Sequence, residues 1–201
     1  DPADRRFELI VADCAGAMMR IACDKAVIAA GIRSRDLARL AGDDVPLAAE
    51  RGYHAVIRQP GVRVNTATMF ADCKMVATPM QAGLRVAGQV EIDHVDAAPD
   101  WRRARILVDL VRSAYPSLSA TGVDEPADYW QGSRPSLPDG LPCIGPASAC
   151  ADIVHAFGHG HVGLVSSART GELVVRILQG QPTGAAFASF DPRRFGRRRP
   201  A

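Results

Sequence analysis

Three histidines and three glycines crowd one short stretch near the end of this 201-residue chain. His155, His159 and His161 follow an H-x3-H-x-H spacing, and imidazoles so spaced are zinc-ligand candidates. Two histidines four apart share a face only on a helix, and here Gly158 and Gly160 stand among them after a strand-like run. No nearby carboxylate or cysteine is an obvious further ligand, so the spacing argues against a metal site. Gly158, Gly160 and Gly163 also spell G-x-G-x-x-G. That spelling lets backbone N–H groups approach a phosphate at a helix N-terminus. A dinucleotide unit needs a further strand and an acidic residue about 20 positions on, and the chain is nearly finished. Two readings of the turn stay open. Either the glycines allow strand and helix to pack closely, or a helix beginning near Val162 offers orphan N–H groups and a positive dipole end to an anion.

Other side chains offer different chemistry. Arg134 follows Tyr129-Trp130 and Gly132-Ser133 and precedes Pro135, which biases it to extended backbone. An arginine delivered from a strand end can grip a carboxylate bidentately, as lysine cannot. A surface salt bridge is the equal alternative. Tyr53 lies on a strand-like segment and is either a half-buried sheet tyrosine or a phenol lining a small-molecule pocket. Cys143 and Ser148 have no base beside them in sequence, so packing and turn roles account for them. No catalytic residue is assigned.

These groups need a scaffold, and the patterning supplies one. Phe7–Ala12 and Met18–Ala22 read as strands around Ala15-Gly16, and the apolar run 25–31 reads as a strand buried on both faces. Ser34 is placed to cap a short helix over 35–41, closed by Gly42. Residues 51–58, 62–69, 74–79 and 84–90 read as strands of an antiparallel sheet, with turns at Pro60-Gly61 and 81–83. An amphipathic helix runs from Asp100 to about Tyr115, with Ile106, Leu107, Leu110 and Val111 on one face, and Pro116 stops it. Residues 128–133 return as a strand, Pro138-Asp139-Gly140 turns, and 141–144 and 152–157 are extended. A helical pattern from Leu164 to Leu178 closes the series. The expectation is an α/β (α+β) chain: 1–43, an antiparallel insert 44–128, and a returning segment 129–201.

Composition excludes several classes. Hydrophobic residues make 47% of the chain, charged residues 23%, and the net charge is +2, which gives no general case for nucleic-acid binding. Arg193, Arg194, Arg197, Arg198 and Arg199 form a basic tail expected to be solvated and frayed. No apolar run reaches the roughly 18 residues of a membrane span, and no signal-peptide pattern appears; peripheral membrane association stays open. Five scattered cysteines without a C-x-x-C pair fit reduced thiols in a cytoplasmic protein.

The order of motifs resembles one family. Val27-Ile28-Ala29-Ala30-Gly31, Glu50-Arg51-Gly52-Tyr53-His54, Trp130-x-Gly132-x-Arg134-Pro135, Asp139-Gly140-Leu141-Pro142-x-Ile144-Gly145, Gly158-His159-Gly160-His161-x-Gly163-Leu164 and Thr170-Gly171 follow one another as in the FAD-dependent D-amino-acid oxidase/dehydrogenase family. The branch of bacterial D-amino-acid dehydrogenases, glycine oxidases and sarcosine oxidases is most similar. The resemblance implies an FAD domain interrupted by an antiparallel substrate domain. It implies Ala30, Gly31, Gly158, Gly160, His161, Val162, Gly163 and Leu164 as cofactor-side residues, and Arg134, with Tyr53 and His161, on the substrate side. A reduced flavin, negative around N1 and its C2 carbonyl, is the kind of group a helix N-terminus favours. The implied reaction is hydride transfer from an amino acid's α-carbon to flavin, giving an imine that water hydrolyses. Glycine-oxidase-like members carry a second carboxylate-binding arginine near position 161, so His161 implies a different substrate. The family's N-terminal βαβ unit has no counterpart before Lys25. The chain therefore reads as a C-terminal half, served by an N-terminal FAD-binding half or partner subunit, or else as a non-catalytic remnant.

Overall fold

The computed structural model describes residues 7–120 and 127–196; Arg197, Arg198 and Arg199 lie outside them. The chain divides into two compact units, Asp1–Ala48 with Pro135–Ala201 and Ala49–Arg134. The first unit opens with a hairpin of β1 (Phe7–Ala12) and β2 (Met18–Cys23), paired from Phe7↔Cys23 to Ala12↔Met18. The Asp13 carboxylate accepts the N–H groups of Ala15 and Ala17, each at 2.8 Å, and Gly16 takes φ +83°. An Asx turn and a left-handed glycine thus close the hairpin. Then come β3 (Ala26–Ile28), a 3-10 turn at Gly31–Arg33 and α1 (Ser34–Leu40).

Two expectations fail here. The run 25–31 is not buried on both faces: only three residues pair, β3 is an edge strand, and Val27 is 43% exposed. Ser34 does not cap α1. The 3-10 turn runs straight into the helix, the Ser34 N–H is already bonded to Gly31 O, and its buried Oγ has no hydrogen-bond partner. Gly42, at φ +91°, ends the helix as expected, and a β-carbon there would press on Ala149.

The second unit is a five-stranded sheet of order β5-β6-β7-β4-β8. Its strands are β4 (Ala48–Ile57), β5 (Thr68–Phe70), β6 (Met75–Met80), β7 (Gly83–Ile92) and β8 (Asp128–Ser136). Helices α2 (Arg102–Ala114) and α3 (Ser117–Ala120) lie between β7 and β8 in the chain. Leu107 and Val111 of α2 pack with Tyr53, Ile57, Met75, Ala77, Leu84 and Val86 in one core. Each such buried aliphatic side chain contributes about 1.5–3 kcal/mol. The helix starts where expected, because the Asp100 carboxylate accepts the Arg102 N–H at 3.2 Å. Its buried stripe is Ala104, Leu107, Val108 and Val111, an i, i+3, i+4, i+7 set. Ile106 falls off that stripe and is 44% exposed, contrary to expectation. The strand expected over 62–69 is also absent apart from Thr68–Phe70. Val62 and Val64 pack on the core from irregular chain, so burial rather than pairing produces their alternation.

The chain re-enters the first unit through β9 (Cys143–Pro146), β10 (Ile153–Phe157) and α4 (Gly163–Leu178). Strand β10 sits between β3, to which it is parallel, and β9, to which it is antiparallel. Val154 joins Ile144, Leu173 and Val174 under α4, while Phe157 packs on the other side with Ala38, Val45, Leu47, Leu137 and Cys143. The strand buried on both faces is therefore β10. Antiparallel sheets with few helices make the mixed α/β class expected.

Candidate functional site

In the first unit, β3 and β10 run parallel with His155 opposite Ile28, so Ala30-Gly31 and Gly158 leave the sheet at the same end. Chain exits beyond the carboxyl ends of parallel strands are where α/β folds place ligands. Gly31, Gly158 and Gly160 adopt φ +56°, +84° and +52°, a region other residues enter only with strain. Gly158 also serves packing, since a β-carbon there would come within 2.5 Å of Leu137 Cδ1. Gly163 is an ordinary helical residue. A 3-10 turn, Gly160–Val162, leads into the 16-residue α4, and no side chain caps either N-terminus. The positive end of the helix dipole therefore lies at this turn. Val162, Leu164 and Val165 stand 50%, 91% and 84% exposed around it. A positive dipole end ringed by exposed aliphatic side chains suits a flat, apolar group with an anionic edge.

The three histidines of this region diverge. His155 is fully buried, and its Nε2 lies 2.8 Å from Asp43 Oδ2, which also accepts the Ser148 N–H at 2.9 Å. His159 Nε2 meets Thr170 Oγ1 at 2.9 Å, and burial lowers its pKa, so the ring is neutral near pH 7. His161 is exposed. Among the described residues no three His, Cys, Asp or Glu side chains gather to hold a metal ion. Arg194 departs from the expected frayed tail: its guanidinium bonds Asp139 Oδ2 at 2.7 Å, Leu141 O at 2.8 Å and Phe190 O at 2.9 Å. That hydrogen bond holds the Asp139 carboxyl below the usual carboxylate range. Arg193 in turn chelates Asp191 through Nε and Nη2.

In the second unit the alternation of β4 separates two chemistries. Arg51 and Tyr53 point to the face that α2 covers. Tyr53 is 2% exposed; its hydroxyl donates to Glu91 Oε2 at 2.6 Å and accepts the Asp100 N–H at 3.0 Å. Burial, then the Glu91 hydrogen bond, raise the phenol pKa. Of its two readings, this geometry supports the structural one. Glu50, Gly52 and His54 point to the other face, where Trp130, Gly132 and Arg134 of β8 join them. Trp130 lies beside His54 and Arg134 beside Glu50, so the two strands run antiparallel.

Arg134 Nη1 stands 3.5 Å from Glu50 Oε1, too far for a good hydrogen bond, and this buried nitrogen has no hydrogen-bond partner. The guanidinium lies over Gly52, where a β-carbon would sit 2.4–2.6 Å from its atoms. Likewise a β-carbon on Gly132 would sit 2.0 Å from the far edge of the Trp130 indole. The indole stacks on His54 at 4.8 Å and 19°. Sequence reasoning singled out Arg134 but missed Gly52, Gly132, Trp130 and His54 as a set. The available signal was an isolated glycine inside each strand pattern, which marks a close approach.

Comparison with known proteins gives the family. The family model described as FAD dependent oxidoreductase, DAO, matches residues 5–177. The chain belongs to the DAO family of FAD-dependent oxidoreductases, a family of enzymes whose cofactor is FAD. It is 51% identical over 175 residues to a D-amino-acid oxidase of Bradyrhizobium diazoefficiens, covering 87% of this chain and 42% of that protein. It is 29% identical over 179 residues to D-amino acid dehydrogenase 3 of Mesorhizobium japonicum, covering 86% and 42%. Glycine oxidase from Geobacillus kaustophilus has the same fold, with a TM-score of 0.74, 22% identity, and coverage of 90% of this chain and 48% of that one. The chain thus spans less than half the length of these relatives.

Proposed function

We propose that this chain supplies the substrate-binding portion of an FAD-dependent amino-acid oxidase or dehydrogenase, acting on the C–N bond of a D-amino acid. The observation that carries the reading is Arg134: a guanidinium about one-third exposed, lying over Gly52, with Nη1 3.5 Å from Glu50 Oε1. The exposed part of the guanidinium can take a substrate carboxylate bidentately. Arg134 binds and orients the substrate, and such positioning is the chain's main contribution to hydride transfer. When bound, FAD supplies the two-electron acceptor. Gly158, Gly160, His161, Val162, Gly163 and Leu164 at the uncapped start of α4, with Ala30 and Gly31 beside them, would hold its ring system. The glycine φ values and the absence of a side-chain cap at the start of α4 support that fit. Tyr53 leaves the substrate set, because both functions of its hydroxyl are used inside the unit. The five free cysteines support a cytoplasmic setting.

A second reading is a half-enzyme completed by a nucleotide-binding half, in the same protein or in a partner chain. It is favoured by the exposure of Leu9, Ile10, Val11, Met18, Met19 and Ile21 along the β1–β2 hairpin. The test is anaerobic mixing of the flavin-loaded protein with D-amino acids. Bleaching of flavin absorbance supports the proposal; an unchanged spectrum with D-amino acids, glycine and sarcosine alike contradicts it.

A further inference from the structure

We infer that Trp130, backed by His54, forms the side-chain wall of the amino-acid site, and that the substrate class is an amino acid with an aromatic or comparably large, flat apolar side chain. The inference rests on the reading that Arg134 takes the substrate carboxylate, and it adds what lies next to that carboxylate. Two flat groups share this face, each seated on a glycine: the guanidinium on Gly52 and the indole edge on Gly132. With Arg134 beside Glu50 and Trp130 beside His54, Gly52 and Gly132 face each other across β4 and β8, so the two groups lie about 5 Å apart. That separation matches the reach from an α-carboxylate to the ring of its own side chain. A carboxylate on Arg134 therefore lays a side chain of that size along the indole.

The wall is apolar and uncharged where it matters. Trp130 keeps one face against His54 and is still 52% exposed. His54 sits with Nδ1 3.4 Å from Arg85 Nη2, and burial followed by the Arg85 charge lowers its pKa, so it is a neutral ring near pH 7. Val90, opposite Gly52 on β7, adds a 42% exposed aliphatic neighbour. Glu50, already paired with Arg134, disfavours an acidic side chain. Aromatic contacts of this geometry give selectivity beyond area burial alone.

The test uses the 201-residue chain labelled with fluorotryptophan, whose two tryptophans, Trp101 and Trp130, give separate fluorine NMR resonances. The chain is titrated with phenylacetate, acetate and phenylacetamide. The inference expects the Trp130 resonance to move saturably with phenylacetate, at a half-saturation at least tenfold below that of acetate. Trp130→Ala, read by equilibrium dialysis, then abolishes the tenfold preference while leaving acetate affinity unchanged, and Trp130→Phe restores most of it. Equal affinity for phenylacetate and acetate, both weakened by Arg134→Ala, would overturn the aromatic wall and leave the Arg134 reading intact. Phenylacetamide binding as tightly as phenylacetate overturns the Arg134 reading itself. Absence of saturable binding by either acid overturns both.

Discussion

The guanidinium of Arg134 occupies the space that a side chain at Gly52 would need, with a β-carbon there falling 2.4 Å from Nη1. The two residues sit on adjacent strands, so a larger residue at position 52 displaces the guanidinium. Gly52 has ordinary strand φ, so alanine is not strained there; only the flexible end of Arg134 has to move. We predict that Gly52→Ala weakens carboxylate binding about tenfold to a hundredfold, the loss of roughly one charge-assisted hydrogen bond at about 1.5–3 kcal/mol. The melting temperature should change little. Parallel carboxylate titration and thermal melts check this, and unchanged affinity would separate Gly52 from the site.

The His155–Asp43 pair makes a different prediction, about stability alone. Both groups are buried, at 0% and 2% exposure, and Asp43 also anchors the Ser148 N–H. His155→Leu removes one of the two groups bonded to that buried carboxylate oxygen, which costs about 1–3 kcal/mol. The melting temperature should fall by roughly 2–12 °C on the usual scaling for a chain of this size. Chelator treatment of the unmodified protein should leave its melt unchanged, whereas a drop with chelator would revive the metal reading.

Asp139 and Arg194 set a pH dependence. The Arg194 hydrogen bond holds the folded Asp139 pKa below its unfolded value of about 3.9. The folded state thus binds the proton less tightly than the unfolded chain. The pair's stabilisation is full above that unfolded value and is lost as pH falls through the folded one. Denaturant melts should show Asp139→Asn less stable than the parent at pH 7, with the gap closing below about pH 4. A gap that persists at the acidic end would mean that Asp139 acts through something other than its charge.

Cysteine reactivity should be graded by position. Burial pushes the Cys143 thiol up to about 12, so it stays protonated near neutrality, while Cys14 is exposed. Alkylation of the native protein at pH 8, read by mass spectrometry, should label Cys14 first and Cys143 only after unfolding. Early labelling of Cys143 would contradict the packing of its core.

Much of this architecture was legible in local patterns. Glycine punctuation and apolar periodicity located β1, β2, β10, the turn at 158–163 and α4, because each is decided by residues close in sequence. The misreadings share a cause. Val62 and Val64 alternate because irregular chain packs on a core, and Ile106 looks equivalent to Val108 until a sheet covers one stripe of α2. Ser34 loses its capping role to a preceding 3-10 turn that no propensity signals. Arg134 was singled out from the Arg-Pro strand end, with a salt bridge as its equal alternative, and it does pair with Glu50. Its seat on Gly52 and the Trp130–His54 stack were not legible, because they depend on β8 lying beside β4 across some 80 residues of sequence. That long-range pairing is a tertiary fact, and only the two in-strand glycines hinted at it.

The central claim is that Arg134 is the carboxylate-binding group of an FAD-dependent amino-acid oxidase or dehydrogenase. The most direct measurement is the D-amino-acid concentration giving half-reduction of the flavin-loaded protein, compared for the parent, Arg134→Lys and Arg134→Ala. The account predicts a rise of about tenfold to a hundredfold for alanine, and a substantial rise for lysine too, which lacks the bidentate fork. Half-reduction at the same concentration in all three would contradict it.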